Sequence, residues 1–239
     1  MYDYLLFLLI LIPLLILSAW ASAKVNSTFN SFDRVANTSR MTGYDTAVHL
    51  LRANGVTDIS VNRVSGKLTD HYHPTKKQVN LSASTYGSAS VAAVAVAAHE
   101  IGHVMQKKQG YLPYRIRTAL VPLANIGSRL ALPLILIGLL LDVLIFTTGS
   151  SFGQWLMIAG IILYSMATLF MLVTIPVEFN AYARAKKMLL EEGIITEEEL
   201  PGARKVLSAA AMTYVASLLI SLVYFLRYLL LVLTHVRRR

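Results

Sequence analysis

The chain has 239 residues, of which 55% are hydrophobic and only 15% charged, against roughly 25% charged in a soluble domain; this excludes an ordinary soluble globular protein. It has no cysteine, which excludes disulfides, thiolate metal sites, iron–sulfur clusters and cysteine nucleophiles, so a bound metal must use histidine or carboxylate. The net charge of +9 does not indicate nucleic acid, because no basic tail with interleaved aromatics and no phosphate-cradling glycine loop is present.

Four apolar stretches approach or exceed the roughly 20 helical residues needed to cross a bilayer core. The first, Leu5 to Ala23, ends in Ala21-Ser22-Ala23, which resembles a signal-peptide cleavage site. The residues before it, Met1-Tyr2-Asp3-Tyr4, lack the positive charge of a secretory signal, so a retained anchor is expected. Residues 24–117 then form a polar segment large enough for a small α+β domain. Within it Asp58 to Val64 alternates as a strand, Ser65-Gly66 signals a turn, and Gln78 to Ser82 alternates again, which predicts a short antiparallel sheet. Ser90 to Gln106 is Ala- and Val-rich and reads as a buried helix ending near Gly110.

The second span lies within Thr118 to Phe146, carries Arg129 and Asp142, and is expected to bend at Pro122 or Pro133. The third runs from Trp155 to Val177 without a charge, and the fourth from Val206 to Leu226. Residues 178–205 form a second polar segment and residues 206–239 end in a basic tail. The segment from Lys24 to Arg117 holds twelve basic and five acidic residues, and that from Glu178 to Lys205 five and six; together they contain 17 of the 22 Lys and Arg. Basic loops mark the cytoplasmic side. An outside N-terminus puts both loops inside and leaves the uncharged Thr147–Gly153 loop outside, although the same count puts Arg237-Arg238-Arg239 outside, against the rule.

The chemistry concentrates in Ala98-His99-Glu100-Ile101-Gly102-His103, an H-E-x-x-H pattern on the Ala-rich helix. Histidines at i and i+4 stand one turn apart on one face, so both can reach one zinc ion at about 2.0–2.1 Å. Glu100 lies beside them and can act on water as an acid/base without being a ligand. Ala97, Ala98 and Gly102 allow close approach of neighbouring backbone. A catalytic zinc commonly takes a third protein ligand, and no histidine follows at the short spacing of H-E-x-x-H-x-x-G-x-x-H. Glu178, directly after the third span, is the best candidate; Glu191, Glu192 and Glu197 to Glu199 read as a solvated loop and helix start.

The anchor, together with Leu68-Thr69-Asp70-His71-Tyr72-His73-Pro74, Leu81-Ser82, Ala98-His99-Glu100-Ile101-Gly102-His103-Val104-Met105-Gln106 and Pro176-Val177-Glu178-Phe179-Asn180-Ala181, resembles the bacterial membrane-anchored neutral zinc metallopeptidases of the YugP type. The resemblance implies a zinc peptidase in which His99, His103 and Glu178 bind Zn2+ and Glu100 is catalytic. A more distant similarity is to membrane metallopeptidases whose ligand glutamate opens E-x-x-x-D, with the aspartate orienting a ligand histidine. Here position 182 is Tyr, so Asn180 is the candidate for that supporting role.

His71, Tyr72, His73, Tyr182 and Arg184 are candidates for holding an oxyanion or substrate, with hairpin surface the simpler reading of His71 and His73. The strand Gln78 to Ser82 is a candidate edge for an extended peptide. These features predict an α-helical membrane protein with about four transmembrane helices and a small α+β zinc-metallopeptidase domain of the gluzincin kind. Its expected place is the bacterial cell membrane, with the active site on the cytoplasmic side and substrates drawn from membrane proteins or membrane-proximal segments. The rival readings are a catalytically inactive zinc-binding scaffold and a transport protein, the latter weakened because Arg129 and Arg227 can snorkel to interfaces and Asp142 lies near a helix end.

Overall fold

A computed structural model describes residues 2–144 and 151–237, with side chains for 5–144 and 151–234. Most of the expected outer loop, 147–150, and the side chains of the tail Arg237–Arg239 lie outside the described residues. The element order is α1 (Tyr2–Asp33), α2 (Gly43–Ala53), β1 (Ser60–Val64), β2 (His71–His73), β3 (Gln78–Ser82), α3 (Ala83–Tyr86), α4 (Val91–Lys108), α5 (Leu112–Leu144), α6 (Phe152–Glu191) and α7 (Leu200–Arg237).

Helices α1, α5, α6 and α7 are long and apolar enough to cross a membrane, as the four hydrophobic stretches predict. Each outruns its predicted span. The 32 residues of α1 rise about 48 Å, well beyond a hydrocarbon core of about 30 Å. The polar sequence after Ala23 therefore continues the helix, and Ala21-Ser22-Ala23 lies in its middle. α5 runs through both Pro122 and Pro133, and α6 through Pro176.

The chain divides into two compact units. The helical unit, Met1–Ser18, Arg115–Ile175 and Tyr214–Arg239, has a small core of Ile135, Met157 and Val232. Large apolar side chains such as Leu9, Leu136, Trp155 and Leu230 point outward, the inverse of a water-soluble bundle and suited to lipid. Glycines bring α5 and α6 together: a Cβ on Gly127 would lie 2.2 Å from the Leu163 carbonyl oxygen, and one on Gly160 2.8 Å from that of Ala131. Arg227 lies with its guanidinium carbon 4.1 Å from the centre of the Phe7 ring.

The site unit comprises Ala19–Tyr114 and Pro176–Thr213. Its core is centred on α4, whose Val91–Ala95, Ala97, Ala98, Ile101 and Val104 are buried against Leu50, Leu51, Leu81, Ala185 and Leu189. The sheet departs from the antiparallel hairpin expected. Its order is β1-β3-β2, with β1 parallel to β3 from Ser60↔Gln78 to Val64↔Ser82 and β2 antiparallel to β3 from His71↔Asn80 to His73↔Gln78. The reason lies in burial: Val79, Asn80, Leu81 and Ser82 are all buried, so β3 is covered on both faces and takes the centre, and the strands before it in sequence are left at the edges. With both edges of β3 paired, Gln78–Ser82 cannot serve as the open edge for a peptide; β2 is the edge strand beside α4.

Candidate metal centre

The zinc-type motif is placed by the way α4 begins. Ser90 caps the helix by accepting the Ala93 N–H at 3.1 Å, and the Ser88 and Ser90 hydroxyls both donate to Asp33 Oδ1 at 2.8 Å, tying the cap to the end of α1. Two and a half turns further on, the His99 and His103 rings stand 4.7 Å apart at 85°. Across from them α6 brings Glu178. It can come close because Gly102 faces it: a Cβ there would lie 2.8 Å from the Ala181 carbonyl oxygen and 3.2 Å from the Ala181 Cα.

One carboxylate oxygen sits between the two imidazoles. Glu178 Oε2 is 3.1 Å from His99 Nε2 and 3.6 Å from His103 Nε2, and one ligand atom from each of the three residues lies within 4.8 Å of the others. Donors held about 2.1 Å from a tetrahedral ion stand about 3.4 Å apart, so the spacing fits a small cation. The environment fits as well, for the side chains of His99, His103 and Glu178 are only 17%, 9% and 3% exposed, and a buried carboxylate needs a positive partner. Burial works to raise the Glu178 pKa, but His103 and His99 outweigh it and hold the carboxyl below the ordinary range.

Glu100 behaves oppositely. It is 7% exposed, and burial pushes its pKa from 4.5 up to about 7; Glu178 and Asp70 push the same way, while His99 and a hydrogen bond from the Tyr72 backbone partly oppose them. Two glutamates in one site thus hold different protonation tendencies, one a persistent anion and the other poised to exchange a proton near neutrality.

Residues 7–233 match the sequence model of a family described as "Putative neutral zinc metallopeptidase". The chain belongs to that family. It is also 43% identical over 229 residues, 95% of this chain and 97% of the relative, to the protein named "Putative membrane protease YugP" of Bacillus subtilis (strain 168). No solved structure matches it.

In this member of the family the other predicted residues are placed unequally. Tyr72 reaches the centre through its backbone, while its phenol, pushed up to about 12 by burial and the neighbouring Tyr114 and Asp58, packs on the core. Both ring nitrogens of His71 are engaged in the sheet, with the Thr69 carbonyl at 2.9 Å and the Asn80 amide at 3.0 Å, and His73 Nδ1 accepts the Lys76 N–H at 3.3 Å. Tyr182 is half-buried against the core. Arg184 points to Asn180 and Gln109. Asn180 does not touch a ligand histidine; it contacts Gln106, which does.

Glu192 and Glu199, expected in a solvated loop, have partners: Glu192 lies 2.8 Å from His49 Nε2, and Glu199 accepts from the Thr38 and Thr196 backbones. Sequence reasoning assigned no role to Gln106 or to buried Tyr114, whose ring centre is 6.3 Å from that of His103. Gln106 had a signal, lying three residues after His103 on the same face of a buried helix. Tyr114 had none, because it returns to the site only after the turn at Gly110.

Proposed function

We propose that the chain is a membrane-integrated, zinc-dependent metalloendopeptidase that hydrolyses peptide bonds near the cytoplasmic face of the bacterial cell membrane. The observation that carries this reading is the convergence of His99, His103 and Glu178 on one point, with the buried carboxyl of Glu100 on the same helix as the two histidines. Zinc bound there would polarise a substrate carbonyl and bring the pKa of a water down to about 7. Glu100 accepts a proton from the attacking water and delivers it to the departing amine nitrogen, so that OH is added to the carbonyl carbon and H to the nitrogen as the C–N bond breaks.

The membrane setting is supported by the four long apolar helices and by the name of the Bacillus relative. The cytoplasmic side is supported by the basic residues of 24–114, which lie in the same compact unit as Glu178. Glu178 follows the apolar stretch of α6 in the same continuous helix, which favours membrane proteins or membrane-proximal tails as substrates.

The test is Glu100→Gln in purified protein, with zinc content measured beside cleavage of casein or of a membrane substrate. Retained zinc with cleavage reduced by at least about 100-fold is expected; equal turnover by the variant and the wild type overturns the mechanism. Zinc retained but no turnover by the wild type would favour the scaffold reading.

A further inference from the structure

Gln106 is fully buried on α4, three residues after His103, and its carboxamide meets three groups. Nε2 is 2.7 Å from the Val177 backbone carbonyl and 3.0 Å from Asn180 Oδ1, and Oε1 is 2.9 Å from His103 Nδ1. A backbone carbonyl can only accept, so the Gln106 atom facing Val177 must be the NH2 group, and the atom facing the imidazole must be the oxygen. That oxygen has no proton to give. His103 Nδ1 therefore carries a hydrogen, and Nε2, 3.6 Å from Glu178 Oε2, is the ring nitrogen left to face the cation site.

Asn180 is oriented by the same logic. Arg184 Nε, a donor only, lies 2.7 Å from Asn180 Oδ1, so Asn180 presents its oxygen to Arg184 and Gln106 together. Arg184 Nη1 then donates to Gln109 Oε1 at 2.6 Å. Gln106 near the end of α4, Gln109 just past it, and Asn180 and Arg184 from α6 thus form a ladder at i, i+3 and i, i+4 spacings, in which His103 donates to Gln106, Gln106 and Arg184 both donate to Asn180, and Arg184 donates on to Gln109. His99 has no such arrangement: its Nδ1 is buried without a hydrogen-bond partner among the described residues.

We propose that Gln106, locked by Asn180 and Arg184, is a positioning residue that holds the hydrogen on His103 Nδ1 and so presents Nε2 to the cation site. It does the work that the E-x-x-x-D pattern gives to an aspartate, using a neutral amide where this chain has Tyr182. The consequence for zinc rests on the metal-centre reading; the placement of the hydrogen does not, since the ladder dictates it with or without an ion.

The test uses the full chain in micelles, metal-free, with its histidines labelled with 15N. With six histidines in the chain, long-range 1H–15N correlations can assign His103 by comparison with a His103→Gln sample and distinguish Nδ1–H from Nε2–H. His103 in the wild type is expected in the Nδ1–H form. Gln106→Leu should shift it to a mixture, and zinc affinity, read by competition with a chelator, should fall by roughly 10–100-fold. Asn180→Asp keeps an acceptor where both Gln106 and Arg184 need one, and should leave the tautomer and the affinity unchanged.

Should Gln106→Leu fail to fold, Asn180→Leu, at a half-buried position, removes one anchor of the amide and should move the same signals in the same direction. An unchanged Nδ1–H signal in whichever of these two variants folds, or loss of that signal in Asn180→Asp, overturns the proposal. If the wild type binds no zinc, the metal reading fails, and the tautomer alone decides the ladder.

Discussion

Helix α6 meets a neighbour in each compact unit by the same device, with different consequences. In the helical unit Gly127 and Gly160 press on or against backbone carbonyls of the α5–α6 pair, and the atoms around Gly160 belong to Ala131 and Ile135. In the site unit Gly102 of α4 presses on the Ala181 carbonyl, but here the contact is flanked by Glu178 between two histidines and by the Gln106–Asn180–Arg184 ladder. A missing Cβ sets only how near two helices lie. Directional polar partners are needed to set which atoms face one another and which of them carry protons.

Removing the polar element while leaving the glycine in place should break the second crossing alone. Glu178→Ala is expected to weaken zinc binding by more than about 100-fold, beyond the loss typical for an outer partner of a ligand, and to abolish peptidase activity. Metal analysis after gel filtration checks this, and undiminished zinc would mean that the third ligand has been wrongly assigned.

The next effect separates the two glutamates by pH. In the folded, metal-free chain Glu100 is raised from 4.5 to about 7, so between these values the folded state holds a proton that the unfolded state has lost. Stability contributed by this group therefore falls as pH rises through that window, by about 3 kcal/mol in total. Glu178, depressed below its ordinary value, contributes stability that is lost only as pH falls below about 4.5. Glu100→Gln should accordingly flatten the metal-free thermal stability curve between pH 4.5 and 7 while leaving the acid limb in place. A slope in the variant equal to that of the wild type would show that Glu100 is not the group responsible.

How much of this was legible beforehand follows the range of the interactions. His99, Glu100 and His103 lie on one helix, and their geometry is a matter of 3.6 residues per turn; four spans follow from apolar length. Glu178 could be singled out because a carboxylate directly after an uncharged span needs a reason. The strand order was not legible, because Gln78–Ser82 and Ser60–Val64 alternate similarly and only tertiary burial decides which is central. The role of Asn180 was legible as to place and not as to partner: its contact is Gln106, 74 positions away, and no local pattern pairs two amides across helices.

The two glycine crossings can be compared directly. Valine at Gly127 or at Gly102 forces a branched Cβ against a carbonyl, and each substitution should cost about 1–3 kcal/mol by overpacking. Their effects on zinc should diverge. Gly127→Val should leave affinity unchanged, because its neighbours carry no ligand, whereas Gly102→Val should lower affinity along with stability by moving Ala181, and with it Glu178, away from the histidines. Thermal unfolding read beside chelator competition separates the two outcomes, and equal loss of affinity in both variants would mean that the crossings are not independent.

The smallest effect concerns the start of α4. Ser90→Ala removes the oxygen that accepts the Ala93 N–H and should cost about 1 kcal/mol, with zinc affinity unchanged because His99 lies nine residues further on. Aspartate is ordinarily as good a cap as serine, but here the Ser90 hydroxyl is 2.8 Å from Asp33 Oδ1, so Ser90→Asp sets two carboxylates against each other. It should be less stable than Ser90→Ala, reversing the usual ranking, and Asp33→Asn in the same chain should recover most of the loss because an amide can donate where a carboxylate cannot. If Ser90→Asp melts at or above the wild type, the tie between the end of α1 and the helix that carries the histidines contributes nothing to holding that helix.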